Sequence, residues 1–478
     1  METSECALES AWLLRKCAVV LSAVLLFVTV TGCSSEHYFI NRTFGPDSSS
    51  ARYSINRLAA NDNTDSLLVM LSFSGGGYRA AALAYGVLEA LADTRIVWAG
   101  ANKRLLDEVD LISSASGGSL TAVYYGLYRD QIFNTFESDV LAADMQSSVI
   151  SRILSPRGLW RQSSPRFGRG DLLQEVLDEK VFHGKTYADL LRTRPMLFVN
   201  ATEMKSGERF EFTQDQFDLL CSDLSAFPLS RAVAASMAAP LIFSPITLWN
   251  HSEACDWREE PLPLQSGVRE QRYVHLLDGG LHDNVGIKTA LEIAEARGGI
   301  IGMAKAARMR GIKKRVFVIV NAQTIPELPE DASPNTPGLY RQAKALIDIP
   351  IDLHSHNNIQ ALHSTIARWK AEIRDASSVQ LAETYDRAAD FYVVEINLRA
   401  AAKETQWSRL QDIGVTLRLA SEEISLLKSF ARTQLNAHPE WKRLLSEIGA
   451  ESAVPATGNP VKEDSPRNHS PSTTQHMR

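Results

Sequence analysis

The chain has 478 residues, of which 45% are hydrophobic and 22% are charged, an ordinary globular composition with material for one large core or two. Its formal net charge of −6 gives no electrostatic support for nucleic-acid binding, so no nucleic acid is expected as a partner. Composition names no function by itself, and the order of the residues has to supply one.

The N-terminal segment has the pattern of a bacterial lipoprotein signal. Arg15 and Lys16 precede an uncharged apolar run over residues 17–30, which is short for a membrane span and typical of a signal-peptide core. Small residues then lead to Cys33, as in a lipobox, where a dedicated peptidase cuts before a cysteine that becomes lipidated. We therefore expect a signal peptide over residues 1–32 and a lipid on Cys33. An uncleaved anchor and a plain secretory signal are the alternatives.

The residues after Cys33 indicate where such a protein would be held. Ser34, rather than an aspartate, follows the cysteine and favours the outer membrane of the bacterial envelope. Residues 33–66 are polar and rich in Ser, Asn and Asp, which is typical of a tether. Membrane lipids are therefore the expected anchor partner.

The five cysteines fall into two groups. Cys6 and Cys17 would leave with the signal peptide, and Cys33 would carry the lipid. Cys221 and Cys255 are left, and an isolated pair can form a disulfide in an oxidising compartment. Two small buried thiols are the alternative.

Two similar units open the folded part of the chain. Residues 67–71 form a continuous apolar run, typical of a strand buried on both faces, and a glycine turn and a helical pattern follow. Residues 109–113 repeat this plan, with a turn of small residues around Ser116 and a predicted helix from about 119 to 128. Each unit predicts a strand, a tight turn and a helix.

Further strands are predicted at residues 196–200, 273–277, 315–320 and 391–396, with helical patterns between them. Alternating strands and helices predict an α/β fold, a three-layer sandwich with a mainly parallel central sheet. The region 133–170 is mostly helical, then irregular and rich in arginine. It is expected to be a surface connection or a cap near the site.

The domain organisation follows from these elements. A catalytic core is expected over residues 67–291, and a C-terminal α/β extension over 292–450 that completes or covers it. Within the extension, residues 337–375 predict a long helix interrupted around Pro350. Residues 451–478 are dominated by Pro, Ser, Thr, Asn and Gly and predict a disordered tail.

Three turns marked by glycine follow predicted strands, and each carries residues with a chemical use. One has three successive glycines, one has Ser116 and one has Asp278. In an open α/β sheet ligands bind at the carboxyl ends of the strands, so these turns can converge. Serine is a poor nucleophile until a base takes its proton, and a desolvated carboxylate can be that base. Backbone N–H groups of a glycine turn can bind an oxyanion.

The three motifs resemble those of the patatin-like phospholipases, a family that includes the catalytic domain type of cytosolic phospholipase A2. They are Gly-Gly-Gly-Tyr-Arg from residue 75, Ser-Ala-Ser-Gly-Gly from residue 114, and Asp-Gly-Gly from residue 278. Supporting matches are the stretch from Ala235 to Pro240 and Asn284 after the aspartate. The resemblance covers about half of the chain.

The resemblance implies a role for each motif. Ser116 would be the nucleophile and Asp278 the base of a Ser–Asp dyad. The oxyanion hole is assigned to the amides of Gly75, Gly76, Gly77 and Gly117, with Arg79 supporting the turn. Ser114 departs from the pattern, because it occupies the first glycine position of the elbow, and we expect local strain there. No cofactor is implied.

Other interpretations stay open at the level of sequence. The glycine turn could cradle a nucleotide phosphate, but it lacks the spaced glycine of a dinucleotide fingerprint and the Lys-Ser/Thr of a P-loop. A Ser–Asp–His triad is the mechanistic alternative, since His282, His354, His356 and His363 follow Asp278 in the order of α/β-hydrolases. His356 and His363 are seven apart on a predicted helix, where one solvated face is favoured over a metal pair. No zinc-binding spacing is present, and no metal is expected.

The sequence thus predicts a lipid-anchored hydrolase of acyl esters, with membrane phospholipids as the favoured substrates. The alternative function is a non-catalytic envelope lipoprotein that binds lipid or a protein partner on the same fold. Ser114 and the large region after Leu291 are the features that favour this alternative.

Overall fold

A computed structural model of the protein describes residues 39–43, 53, 63–190, 192–254, 271–325, 334–381 and 383–449. The predicted signal peptide, Cys33, most of the tether and the predicted C-terminal tail lie outside these residues. Those expectations stay predictions. Within the described ranges, no helix is both long enough and apolar enough to cross a membrane.

The strands and helices alternate along the chain. The strands are β1 Leu67–Phe73, β2 Arg95–Trp98, β3 Ala101–Arg104, β4 Val109–Ala115, β5 Met196–Glu203, β6 Arg209–Glu211, β7 Ile246–Trp249, β8 Tyr273–Asp278, β9 Ile312–Asn321 and β10 Tyr385–Asn397. The helices are α1 Gly77–Asp93, α2 Gly117–Tyr128, α3 Ile132–Phe136, α4 Met145–Leu154, α5 Pro156–Arg161, α6 Arg169–Leu177, α7 Gln214–Asp218, α8 Leu229–Ser236, α9 Gly280–Asp283, α10 Lys288–Ala296, α11 Ile300–Ala306, α12 Leu339–Asp375, α13 Ser378–Leu381, α14 Ser421–Ala437 and α15 Pro439–Glu447.

Among the described residues, eight strands form a central sheet in the order β10-β9-β1-β4-β5-β8-β7, with β6 paired to β5. The run from β10 to β5 is parallel, whereas β6, β7 and β8 are antiparallel to their neighbours. The predicted α/β fold with a mainly parallel sheet is confirmed. The antiparallel strands β6, β7 and β8 lie together beyond β5.

Helices cover both faces of the sheet, and β1 shows why. Its side chains alternate between faces. Leu67, Val69, Leu71 and Phe73 join one hydrophobic cluster with α1, α2 and α14, and Leu68 and Met70 join another with α10, α11 and α12. A strand buried on both faces is apolar at every position, which is the pattern read in the sequence.

The alanine-rich helix α1 lies buried against the sheet and under α14. Small side chains allow this close packing: a Cβ at Gly86 would lie 2.8 Å from the Cα of Lys428 in α14. Because α14 belongs to the C-terminal third of the chain, that third packs directly on the helix that follows the first glycine turn.

The C-terminal third also extends the sheet itself. Strand β9 pairs with β1 in parallel over seven residues, and β10 pairs with β9. Without β9, the edge of β1 would be left unpaired. The domain boundaries of the sequence analysis stay predictions, but the two regions share one sheet.

One expected helix break is absent. The sequence predicts an interruption around Pro350, whereas α12 runs without a break from Leu339 to Asp375 with Pro350 inside it. Proline removes one backbone donor and crowds the preceding turn. Pro350 is exposed, where the backbone carbonyls of the preceding turn can be solvated.

Candidate active site

The turn after β4 holds Ser116 in a conformation that few residues adopt. Ser116 has φ 48° and ψ −125°, in the left-handed half of backbone space that disfavours a side chain, and α2 begins at the next residue. The hydroxyl therefore projects from a sharp strand-to-helix turn. A strained serine between a parallel strand and a helix is the geometry of a nucleophile elbow.

The elbow is possible only because its neighbours lack side chains. A Cβ at Gly117 would overlap the carbonyl oxygen of Gly77, and one at Gly118 would lie 2.7 Å from the carbonyl oxygens of Phe73 and Ser74. The first glycine turn is thus stacked directly against the serine turn. Glycine is required at both positions by this close approach of two backbones.

Asp278 reaches Ser116 across the sheet. The Ser116 hydroxyl donates to Oδ2 of Asp278 at 2.8 Å, and the N–H of Gly280 donates to Oδ1 at 2.8 Å. Both Ser116 and Asp278 are only 8% exposed. Burial raises the pKa of Asp278 to about 6, although its two hydrogen bonds favour the ionised form.

Convergence of the two turns has a different cause from the one expected. The sequence predicts that the turns meet because parallel strands place their carboxyl ends at one edge of the sheet. Strand β8, however, runs antiparallel to β5. Strand β5 extends past the end of β4, and β8 runs back along this extension until Asp278 pairs with Ala201, next to the Asn200 that pairs with Ala115. An antiparallel return therefore places the carboxylate beside the serine.

Ser236, at the end of α8, holds the backbone of the elbow. Its Oγ accepts the N–H of Ser116 at 2.9 Å and donates to the carbonyl of Asn200 at 2.6 Å. The adjoining loop supports Asp278 as well, because the carbonyl of Ala238 accepts the N–H of Asp278 at 3.0 Å. Sequence reasoning found this stretch by resemblance alone, and no local signal reveals its contacts.

The glycine turn contains two N–H groups without an acceptor among the described residues and one that is already used. Gly76 and Gly77 have φ of 136° and 61°. The N–H groups of Gly76, Gly77 and Gly117 donate to no acceptor in the described part of the chain. Gly117 is the first residue of α2, where amides have no intrahelical partner. These three amides are free to bind an anion.

The assignment of Gly75 to an oxyanion hole is wrong. Its N–H donates to the carbonyl of Asn284 at 3.0 Å, so it is already used. Gly75 instead allows close approach, because a Cβ there would lie 2.5 Å from Oδ1 of Asn284 and 3.1 Å from Cβ of Ser116. Asn284 thereby joins the glycine turn to the segment that follows Asp278.

Arg79 contacts the C-terminal third of the chain. The buried guanidinium donates to the carbonyl of Ile413 and, at 3.1 Å, to the hydroxyl of Thr324. Burial lowers its pKa to about 10. Ile413 is the first residue of a segment that we call the strap, residues 413–418. Within the strap, the carbonyl of Thr416 accepts the N–H of Tyr78 at 2.9 Å. The strap carries no sequence motif, so its contact with the glycine turn could not be predicted from the sequence.

Ser114 fits its position without a special backbone. It lies inside β4, paired with Phe73 on one side and Val199 on the other, and its hydroxyl donates to the carbonyl of Phe198 at 3.3 Å. Its φ is not among the positive values of the chain. The expected strain is therefore wrong at Ser114, and the strained residue is Ser116.

The histidines considered for a triad are engaged elsewhere or exposed to solvent. In the described ranges, no histidine is hydrogen-bonded to Ser116 or Asp278. The Nδ1 of His282 contacts the carbonyl of Gly207 at 2.8 Å, and that of His354 contacts the carbonyl of Leu281 at 3.3 Å. His356 and His363 are exposed on α12. The described residues contain no group of three His, Cys, Asp or Glu side chains that could hold a metal ion.

The predicted disulfide can be described at one end. Cys221 is buried and disulfide-bonded. Cys255, its expected partner, lies outside the described residues, so the pairing stays a prediction. Cys221 lies between α7 and α8, away from the Ser116–Asp278 pair in the sequence.

Comparison with known proteins identifies the region that carries this site. The family model of the patatin-like phospholipases matches residues 71–291, which include all three glycine turns. A search of curated protein sequences found no match.

Similar solved structures include human GIVD cytosolic phospholipase A2, at 12% identity and a TM-score of 0.41, with 87% of this chain and 66% of that chain covered. The same human enzyme in complex with methyl gamma-linolenyl fluorophosphonate inhibitor and terbium chloride is 14% identical, with a TM-score of 0.37. That match covers 85% of this chain and 64% of that chain. VipD from Legionella pneumophila is 12% identical, with a TM-score of 0.30, and the match covers 88% of this chain and 73% of that chain. This chain therefore spans just under two thirds of the length of the human enzyme.

Proposed function

Because the family model of the patatin-like phospholipases matches residues 71–291, we propose that this protein is a lipid acyl hydrolase that cleaves acyl esters through a Ser116–Asp278 dyad. One observation carries the proposal. A strained serine hydroxyl donates at 2.8 Å to a buried carboxylate, beside amides that have no other acceptor. A nucleophile, a base and an oxyanion site are thereby within reach of one carbonyl group.

Asp278 is suited to act as the base. Its pKa of about 6 makes it a stronger base than an ordinary aspartate, and yet leaves it mostly ionised at neutral pH. The proton of the Ser116 hydroxyl passes to Oδ2 along the existing hydrogen bond as Oγ bonds to the ester carbonyl carbon. The carbonyl π pair moves to the oxygen and forms a tetrahedral oxyanion.

The amides of Gly76, Gly77 and Gly117 are proposed to bind that oxyanion. They come from two turns that are in contact, and Gly117 adds the positive end of the α2 dipole. Donors fixed before the reaction need no reorganisation as charge develops, and removal of one such donor typically costs about 100-fold to 1,000-fold in rate.

The cycle closes with the same two residues. As the tetrahedral adduct collapses, the bond to the leaving alkoxide breaks and Asp278 returns its proton to that oxygen, which leaves an acyl ester on Ser116. Water then attacks this ester while Asp278 takes a proton from it. Collapse of the second adduct releases the fatty acid and restores the serine hydroxyl.

Glycerophospholipids are the proposed substrates. The expected lipid on Cys33 would hold the enzyme in the bacterial envelope, at a surface composed of these molecules. We propose the outer membrane on the basis of Ser34. Membrane lipids would then be both anchor and substrate.

A fluorophosphonate probe tests the proposal directly. Labelling of the full chain at Ser116, lost in Ser116→Ala together with ester hydrolysis, is the expected result. Ser446→Ala is a matched control, because this exposed serine on α15 bonds only to its own helix, and it should label normally. An unlabelled parent chain in several detergents would favour the binding protein over the enzyme.

A further inference from the structure

Residues 145–170 form an arginine-rich segment that the proposed chemistry does not use. It comprises α4, α5 and the connection into α6. It contains five arginines and no acidic residue, in a chain whose net charge is −6. The segment is therefore a local positive region on an acidic protein.

The start of the arginine-rich segment is attached beside the glycine turn. Gln146 and Leu417 exchange two hydrogen bonds, at 3.2 and 3.3 Å. Leu417 belongs to the strap, next to Thr416, and the carbonyl of Thr416 lies 2.6 Å from where a Cβ of Gly77 would be. One end of the segment thus contacts the strap, and the strap contacts Gly77, one of the proposed oxyanion donors.

The other end is attached beside the aspartate. Arg169 donates to the carbonyl of Leu241 at 3.2 Å. Leu241 lies in the loop that leaves Ala238, whose carbonyl accepts the N–H of Asp278. The two ends of the arginine-rich segment are therefore attached next to the glycine turn and next to the loop that contacts Asp278.

Between these attachments, large apolar side chains face solvent. On α4, Met145 and Val149 are buried, whereas Ile150 and Leu154 are exposed one turn apart. The exposed fractions of the side chains that we call the apolar patch are 47% for Ile150, 63% for Leu154, 55% for Leu159, 45% for Trp160, 50% for Leu241 and 46% for Ile242. Exposed apolar groups that occur together, rather than scattered singly, are typical of an interaction surface.

The charge around the apolar patch is positive after internal pairing. Arg152 and Arg161 are bound to Glu175, and Arg152 also to Glu179. Arg157 is exposed directly before Leu159 and Trp160. Aromatic and aliphatic side chains interleaved with arginine are the composition that inserts into the headgroup region of an anionic bilayer.

We infer that the arginine-rich segment, with its apolar patch, seats the protein on an anionic phospholipid surface. The inference rests on the proposed function, because a lipid substrate then lies in the surface on which the segment rests. The patch enters the acyl boundary, Arg157 meets phosphate groups, and an acyl ester can pass between the two attachments to Ser116.

Quenching by brominated acyl chains tests this seating without requiring turnover. The full chain is mixed with phosphatidylglycerol vesicles that carry bromine on the acyl chains, which quench tryptophan on contact. Trp160→Phe is expected to lose a large part of the quenching. Trp98→Phe is the control, because Trp98 bonds to Ser66 at the amino end of β1, whereas the glycine turn follows the carboxyl end of that strand. Equal quenching in the two variants would overturn the inference.

A second test compares two substrates. In the double variant Leu154→Ser and Leu159→Ser, the ratio of vesicle phospholipid hydrolysis to soluble short-chain ester hydrolysis is expected to fall at least about tenfold. Val379→Ser is the control, an 84% exposed apolar residue on α13, and should keep the parent ratio. An unchanged ratio in the double variant would overturn the seating.

Charge adds a smaller effect. Arg157→Gln is expected to lower the same ratio about fivefold on anionic vesicles and to leave it unchanged on neutral ones. An equal loss on both would contradict the role of the anionic surface. A parent chain that hydrolyses no ester would refute the proposed function alone, since the quenching test would still give a result.

Discussion

Residues 71–291 and residues 292–449 contribute differently to the candidate site. The first region, which matches the family, supplies Ser116, Asp278 and the three free amides. The second supplies strands β9 and β10 and the strap, and in the described ranges none of its side chains is hydrogen-bonded to the serine or the aspartate.

The second region nevertheless fixes the first glycine turn. The carbonyl of Val320 in β9 accepts the N–H of Ser74, just before the turn, and the carbonyl of Thr416 accepts that of Tyr78, just after it. The proposed catalytic groups are therefore concentrated in one region, whereas their positions depend on both. Substitutions in the two regions can therefore test the chemistry of the site and the positioning of its groups separately.

The largest effect is expected at the base. Asp278→Asn should reduce ester turnover about 100-fold to 10,000-fold, because an amide cannot accept the serine proton. The measurement is kcat on a soluble ester. Turnover close to that of the parent would contradict the assignment of Asp278 as the base and would favour a histidine.

The same variant should be more stable than the parent at neutral pH. The folded pKa of Asp278, about 6, exceeds the ordinary value of 3.8, so the folded state binds this proton more tightly. Its contribution to stability is full below pH 3.8 and is lost as pH rises to about 6. Asparagine avoids this loss, which corresponds to roughly 3 kcal/mol in free energy of unfolding. Chemical denaturation at pH 7 measures it.

Positioning by the strap is tested at Gly77. Gly77→Ala should lower kcat about tenfold to 100-fold, because the Cβ would meet the Thr416 carbonyl at 2.6 Å and displace an oxyanion donor. Gly207→Ala is matched for backbone strain, with φ 72° against 61°, but its Cβ meets nothing within 4 Å. If the two variants lose the same activity, strain alone is the cause and the strap has no positioning role.

Arg79 tests the link between the regions from the other side. Arg79→Met should lower the free energy of unfolding by about 2–3 kcal/mol, because it leaves the buried Ile413 carbonyl and Thr324 hydroxyl without this donor. We expect kcat to fall about tenfold through the loosened turn, in keeping with the cost of misplacing catalytic groups. Arg79→Lys should restore part of both. Lost stability with full activity would mean that the link does not reach the site.

The pH profile of the parent gives a moderate effect. Since the proposed base must be ionised, the logarithm of kcat/KM should rise with unit slope up to a pH of about 6 and then level off. At pH 5 the expected loss is about tenfold. A profile that levels near pH 4 would contradict a desolvated base.

The smallest effect is expected at Ser114. Ser114→Gly restores the glycine found in the family pattern, but Ser114 lies in a regular strand and its hydroxyl has a partner. Activity should change less than about threefold, and stability should fall by about 0.5–1 kcal/mol because glycine weakens a strand. A large gain in activity would show that Ser114 impairs the site.

Some of the site could be read from the sequence because its signals are local. An apolar run followed by glycines specifies a buried strand and a tight turn within a few residues, and this pattern predicted the turns around Ser116 and the three successive glycines. The resemblance then implied the roles of Gly76, Gly77 and Gly117. The order of the motifs then identified Asp278 by resemblance. The fold class followed from the alternation of strands and helices. The lipoprotein signal and the disulfide partner stay predictions from the same kind of local evidence.

Contacts between distant residues were decided only by the tertiary structure. Asp278 reaches Ser116 because β8 runs antiparallel along β5. The N–H of Gly75 is not free, because it donates to the carbonyl of Asn284, and the strap packs against Gly77. Strand direction, hydrogen-bond partners and loop placement depend on the packing of residues more than 300 positions apart, as in Tyr78 and Thr416 at the glycine turn. A single sequence determines which residues can react, whereas the folded chain determines which of them meet.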